Sequence, residues 1–158
     1  MNSDTATSES TIDFPSSPRW FQTIRRLVFT ASTECGFSDR DAGQVAMAVD
    51  EALTNIYRHG YQLDEQGRIT LHVRTVSSPA PNIDITIEDE GQQVKPSTIQ
   101  SRNLDDVKPG GLGVHLIQTI MDQSHWEPRD THGMRLLMSK TAHANTDTKV
   151  QTSKQEDG

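Results

Sequence analysis

Between Asn82 and Glu88 the chain alternates without a break: Ile83, Ile85 and Ile87 on one parity, Asp84, Thr86 and Glu88 on the other. A period of two over this length predicts a strand with one apolar and one polar face. The same parity carries Asp89 to the apolar side and turns Glu88 and Glu90 outward. A buried carboxylate without partners is costly, so Asp89 either finds hydrogen-bond donors in the protein or faces a ligand that supplies them. Gly91, two residues on, allows close approach of backbone to a planar ligand. On its own the segment is equally well an acidic turn after a strand.

Two further segments flank it. In Val45 to Gly60, Val45, Val49, Ala52, Leu53 and Ile56 recur at helical spacing and mark a core face. Glu51 and Asn55, four apart, share one side of that helix beside the apolar stripe. A carboxylate there can act as a general base or position water, and an amide oxygen is a neutral hard ligand suited to Mg²⁺. The plainer alternative is a solvated Glu and Asn on an amphipathic helix.

The third segment runs from Lys108 to Met121. Gly110, Gly111 and Gly113 lead into a helix with Val114, Ile117, Ile120 and Met121 on one face. Free N–H groups at such a helix start, in a loop that glycine lets wrap tightly, bind phosphate oxygens. No Gly-Lys-Ser/Thr follows, and the run does not succeed a strand, so neither a Walker loop nor a dinucleotide fingerprint fits.

In this order the segments resemble the N, G1 and G2 boxes of the GHKL ATPase superfamily, and within it the small bacterial anti-sigma factor serine/threonine kinases. The phrases carrying the resemblance run from Val49 to Tyr61, Glu88 to Gly91 and Gly110 to Asp122, and the similarity spans roughly residues 12 to 140. It implies the Bergerat fold, an α+β two-layer sandwich whose mixed, mostly antiparallel sheet is covered on one face by helices. It further implies that Glu51 is the catalytic base, Asn55 the Mg²⁺ ligand and Asp89 the reader of the adenine amino group. Gly91 would lie beneath the base, and Gly110, Gly111, Leu112 and Gly113 would hold the ATP phosphates. The implied partners are a STAS-domain anti-anti-sigma protein and an RNA polymerase sigma factor, with a homodimer as the implied assembly. One departure stands out: the family's Gly-Thr pair entering the last strand reads Gly133-Met134 here.

The remaining expectations concern organisation. A chain of 158 residues suits one domain with a real core. A net charge of −7 without a Lys/Arg run speaks against direct nucleic-acid binding. Cys35 is the one cysteine, no segment has the length of a membrane span or signal peptide, and a cytoplasmic protein is the natural reading. Residues 1–10 and 142–158 are expected to be disordered tails around an ATPase domain at 11–141. Within it we expect an edge strand at Thr11 to Phe14 and a helix from Pro18 to Glu34 with Trp20, Ile24, Leu27 and Val28 inward. A second helix, capped by Ser38, should end at Gly60. Strands at Arg68 to Val76 and Asn82 to Glu88, a long polar loop from Gln92 to Gly110 that could serve as a lid, the glycine-led helix and two final strands complete the chain.

Two other functions compete with the kinase. The pocket could hold nucleotide only to set the shape of a module that sequesters a partner. A histidine-kinase catalytic domain would need an acceptor His on a separate helix, and no His precedes Asp41. The histidines show no metal-ligand spacing.

Overall fold

A computed structural model describes residues 6–99 and 112–143. The elements are β1 (Thr7–Pro15), α1 (Pro18–Cys35), α2 (Asp39–Asn55), β2 (Arg68–Val76), β3 (Asn82–Asp89), α3 (Leu112–Ile120), β4 (Gln123–Pro128) and β5 (Met134–Thr141). The strands form one sheet in the order β1-β2-β3-β5-β4. All four ladders are antiparallel, so the mixed character expected of the sheet is absent among the described residues.

Alternation decides which face of the sheet is covered. Ile69, Leu71 and Val73 of β2, Ile83, Ile85 and Ile87 of β3, and Leu136 and Met138 of β5 all point into a single core with the helices. Burying an isoleucine side chain fully contributes about 1.5–3 kcal/mol, so the three of β3 alone anchor the middle of the sheet. The opposite face carries ion pairs, the exposed Arg68–Asp13 (2.9 Å) and Arg74–Asp84 (3.3 Å) and the part-buried Arg135–Glu88 (2.6 Å) among them. The result is the expected two-layer α+β sandwich.

α1 starts with Pro18 in its first turn and ends against Gly36 in the left-handed region. Its buried stripe is Phe21, Ile24, Val28, Ser32 and Cys35. Trp20, expected inward, is 45% exposed, and Phe21 takes the core position at 5%. With Ile24, Val28, Ser32 and Cys35 defining the stripe, residue 21 falls about 25° from its centre and residue 20 about 75° to the other side. The Cys35 thiol donates to the Val76 carbonyl (3.1 Å), a structural role.

α2 begins where Ser38 Oγ accepts the Asp41 N–H (3.1 Å), with Asp39 and Asp41 favourably placed in its first turn. Beyond Asn55 the helix widens into a π-helical turn over Ile56–Gly60, which Tyr61 N–H closes on the Ile56 carbonyl.

Two expected boundaries move. β1 begins at Thr7, inside the expected tail, because its pairing with β2 is carried by backbone and by Glu9–Arg74 (3.2 Å) rather than by apolar side chains. At the other end Ala142 N–H donates to the Pro81 carbonyl (2.7 Å), so the fold reaches one residue past the expected limit. Of the expected lid, residues 92–99 are described and include a 3₁₀ turn at Pro96–Thr98; residues 100–110 lie outside the described residues, as do Gly111 and the tails at 1–5 and 144–158.

Candidate active site

The helical period of α2 stacks Glu51 and Asn55 one turn apart on a side facing α3. The first turn of α3 crosses directly over them. A Cβ added at Gly113 would lie 2.8 Å from Glu51 Oε2 and 3.3 Å from Asn55 Nδ2, so any other residue would make the Glu51 carboxylate or the helix shift. The structure therefore brings Glu51, Asn55 and Gly113 into one cluster at a helix N-terminus, where the backbone dipole favours an anion. Leu112 is exposed beside it. Gly110 and Gly111 lie outside the described residues.

The second cluster forms where β3 ends. Asp89 is 4% exposed, as the parity of β3 requires. Its Oδ1 accepts N–H groups from Gly91 (2.8 Å) and Met134 (3.3 Å). No donor among the described residues reaches Oδ2. Burial pushes the Asp89 carboxyl above its ordinary value; the two N–H groups and the charge of Arg129 oppose that push. The site thus holds a buried carboxylate with one oxygen committed to the protein and the other without a donor among the described residues.

The π-helical turn links the clusters, since it leaves Asn55 and arrives at Gly60, whose Cβ position is 3.7 Å from Asp89 Oδ1. Gly91 makes its close approach to this turn: a Cβ there would sit 2.5 Å from the Gly60 carbonyl oxygen, and Gln92 N–H donates to that oxygen (3.0 Å). Tyr61 braces the corner, its hydroxyl donating to the Arg68 carbonyl and accepting the Glu90 N–H (2.7 Å). Burial pushes the Tyr61 phenol above its ordinary value, which keeps that donor protonated.

Sequence reasoning did not single out Tyr61, Arg129 or Gln93. Tyr61 lay inside the first quoted phrase, whereas Arg129 and Gln93 belong to aperiodic turns and carried no pattern. His59 is exposed, His72 sits 2.9 Å from Thr11 Oγ1 on the solvated face, and no three His, Cys, Asp or Glu side chains converge among the described residues. A divalent ion beside Asn55 would therefore take the rest of its shell from a ligand and from water, which suits a metal delivered on phosphates.

The profile of the histidine kinase-like ATPase domain matches residues 14–140, most of the chain and all of both clusters. The protein belongs to that family. Among curated relatives, it is similar to the serine-protein kinase RsbW of Halalkalibacterium halodurans, 29% identical over 134 residues, which is 80% of this chain and 78% of the relative. RsbW of Staphylococcus aureus is 27% identical over 150 residues (88% and 92%), and RsbW of Bacillus subtilis 26% over 118 (69% and 71%). A solved structure of the RsbU and RsbW domains of Rv1364c from Mycobacterium tuberculosis shares the fold, with a TM-score of 0.59 at 16% identity. It covers 85% of this chain, which spans only 34% of that longer one. These curated relatives are all named serine-protein kinases. No helix among the described residues is long and apolar enough to cross a membrane.

Proposed function

We propose that this protein is a serine/threonine kinase that binds Mg-ATP, phosphorylates a Ser or Thr of a STAS-domain anti-anti-sigma partner, and sequesters an RNA polymerase sigma factor. The observation carrying this reading is the convergence of Glu51, Asn55 and Gly113 at a helix start. With it goes the buried Asp89, whose Oδ2 has no donor among the described residues.

Mg-ATP, when bound, supplies the transferable phosphoryl group and a charge that offsets the phosphates. The chain's own residues do the rest. Asp89 Oδ2 accepts a hydrogen bond from the adenine amino group, and its ionised state matches a donor rather than an acceptor. Asn55 Oδ1 contributes a ligand to the ion. Leu112 and Gly113 at the start of α3 would present N–H groups to the phosphates, a role proposed also for Gly110 and Gly111, which lie outside the described residues. Glu51, with Oε2 facing the α3 start, takes up the proton of the attacking hydroxyl.

One observation favours a second reading, a nucleotide-binding module that sequesters a partner without phosphoryl transfer. Met134, where the family's Thr would stand, gives Asp89 a main-chain N–H and no hydroxyl. Incubating the purified chain with labelled Mg-ATP and a purified STAS protein separates the two. Label on a Ser or Thr of the partner supports the kinase; binding of ATP and a sigma factor with no label on any partner selects the module.

A further inference from the structure

We infer that Arg129 is a positioning and specificity residue of the purine corner. It holds the Asp89 main chain so that the free carboxylate oxygen meets the exocyclic amino group, and it ties that corner to the segment leading into the glycine run. The inference rests on the nucleotide-binding part of the proposed function and on nothing about transfer.

The need for such a residue follows from the sheet. The β3–β5 ladder ends at Glu88↔Arg135. One step further, strand pairing would offer Asp89 a main-chain donor from β5. Gly133 instead has φ +80, and the chain turns so tightly there that a Cβ would overlap the Asp89 carbonyl. The Met134 N–H goes to the Asp89 side chain. The Asp89 carbonyl thus faces the β4–β5 hairpin without a ladder partner, and a buried carbonyl needs one.

Arg129 supplies it. Its Nη1 donates to the Asp89 carbonyl at 2.7 Å, while its own N–H closes the hairpin on the Gly133 carbonyl at 3.1 Å. Its carbonyl in turn accepts from Gln93 Nε2 at 2.6 Å. Gln93 lies four residues beyond Asp89, at the start of the segment that runs to Gly110. One residue therefore fixes the end of β3, the apex of the hairpin and the first residues of that segment.

The charge matters as well as the geometry. A guanidinium beside Asp89 favours its ionised form against the burial that opposes it. An ionised oxygen accepts from the 6-amino group of adenine and repels the 6-oxo group of guanine. Arg129 thus serves the choice between the two purines as well as affinity.

The test compares wild-type, Arg129→Met and Arg129→Lys full-length chains, with calorimetry for Mg-ATP and Mg-GTP alongside thermal melts. Arg129→Met is expected to weaken ATP binding by roughly ten- to a hundred-fold, the weight of one charge-assisted hydrogen bond. GTP binding should change less, so that the ATP/GTP preference narrows. Arg129→Lys, which keeps the charge and one donor, should recover part of both. A folded Arg129→Met chain with unchanged ATP affinity overturns the inference. So do equal losses for both nucleotides, or losses that Arg129→Lys does not relieve, which mark a residue that merely braces the hairpin. A wild type that binds ATP but transfers no phosphate refutes the kinase and leaves Arg129 to be judged on binding. A wild type that binds no ATP overturns both.

Discussion

Asp89 and Glu51 are both carboxylates, but their surroundings assign them opposite tasks. Asp89 is walled in, and burial raises its carboxyl above the ordinary value of 3.8. A raised acid favours the fold while protonated. Its contribution is fully present below the unfolded value and is lost as pH rises through the folded one, so at neutral pH its charge costs stability. Nucleotide binding runs the other way, because only the ionised form accepts from an amino group. ATP affinity should therefore begin to fall, as pH is lowered, at a higher pH than an ordinary aspartate would give. Asp89→Asn removes the buried charge while an amide oxygen can still accept from Gly91 and Met134. The unliganded variant should melt no lower than wild type near neutral pH, and up to a few degrees higher. Its ATP affinity should fall at least ~10-fold, since an N–H₂ then faces the adenine amino group. Melts and calorimetry at two pH values check both; a variant that melts far lower, or that still binds, removes Asp89 from this role. Glu51→Ala, by contrast, should leave ATP affinity within about three-fold and slow transfer by ~10²–10⁴-fold, as loss of a general base does. Lost binding with an intact rate would reverse the assignment.

α3 is fixed at both ends, and that is how a nine-residue helix can hold its first turn against Glu51 and Asn55. At its C-terminus the buried Lys140 Nζ donates to the Ile120 carbonyl (2.7 Å) near Asp122 (3.9 Å), a cation where the helix dipole favours one. Gly113→Ala puts a methyl 2.8 Å from Glu51 Oε2, so either α3 or Glu51 must move. Both ATP affinity and transfer should then drop, by roughly ten-fold each if the shift is near an ångström. Wild-type values for both would show that the helix start has room to spare. β1 allows a separate test. Removing residues 1–10 deletes the pairs from Thr7↔Val76 to Ser10↔Val73 and should cost on the order of 1–3 kcal/mol in denaturant unfolding, where removal of a free tail would cost nothing. The same strand shows where sequence reading stops. Helices α1 and α2, and strands β2, β3 and β5, were readable because burial writes a period into the chain. Glu51, Asn55 and Asp89 could be placed because they ride on those periods. The outer half of β1 is held by backbone and exposed ion pairs, which leave no apolar pattern. Trp20 misled because hydrophobicity alone does not say on which side of a stripe a residue falls. Arg129 could not be found at all, because its partner is a carbonyl made available only by the turn at Gly133.

Taken together, the two clusters draw on both layers of the sandwich: α2 and α3 from the helical layer, the ends of β3 and β5 from the sheet. A nucleotide seated across them would bridge the layers, so its binding energy should appear as stability of the whole domain. For a ligand that binds only the folded state, about 100 times its Kd adds about 2.7 kcal/mol. In a domain of this size that corresponds to a rise in Tm of roughly 5–15 °C. Asn55 provides only part of an ion's shell, and among the described residues no acidic cluster provides the remainder, so the phosphates must complete it. The rise should therefore be large with Mg-ATP and small with ATP in EDTA. It should persist in Glu51→Ala and shrink to about half or less in Asp89→Asn. Melts of the three proteins under both conditions decide the matter. Equal shifts with and without Mg²⁺ would take Asn55 out of its assigned place, and a full shift in Asp89→Asn would mean that the base is read elsewhere.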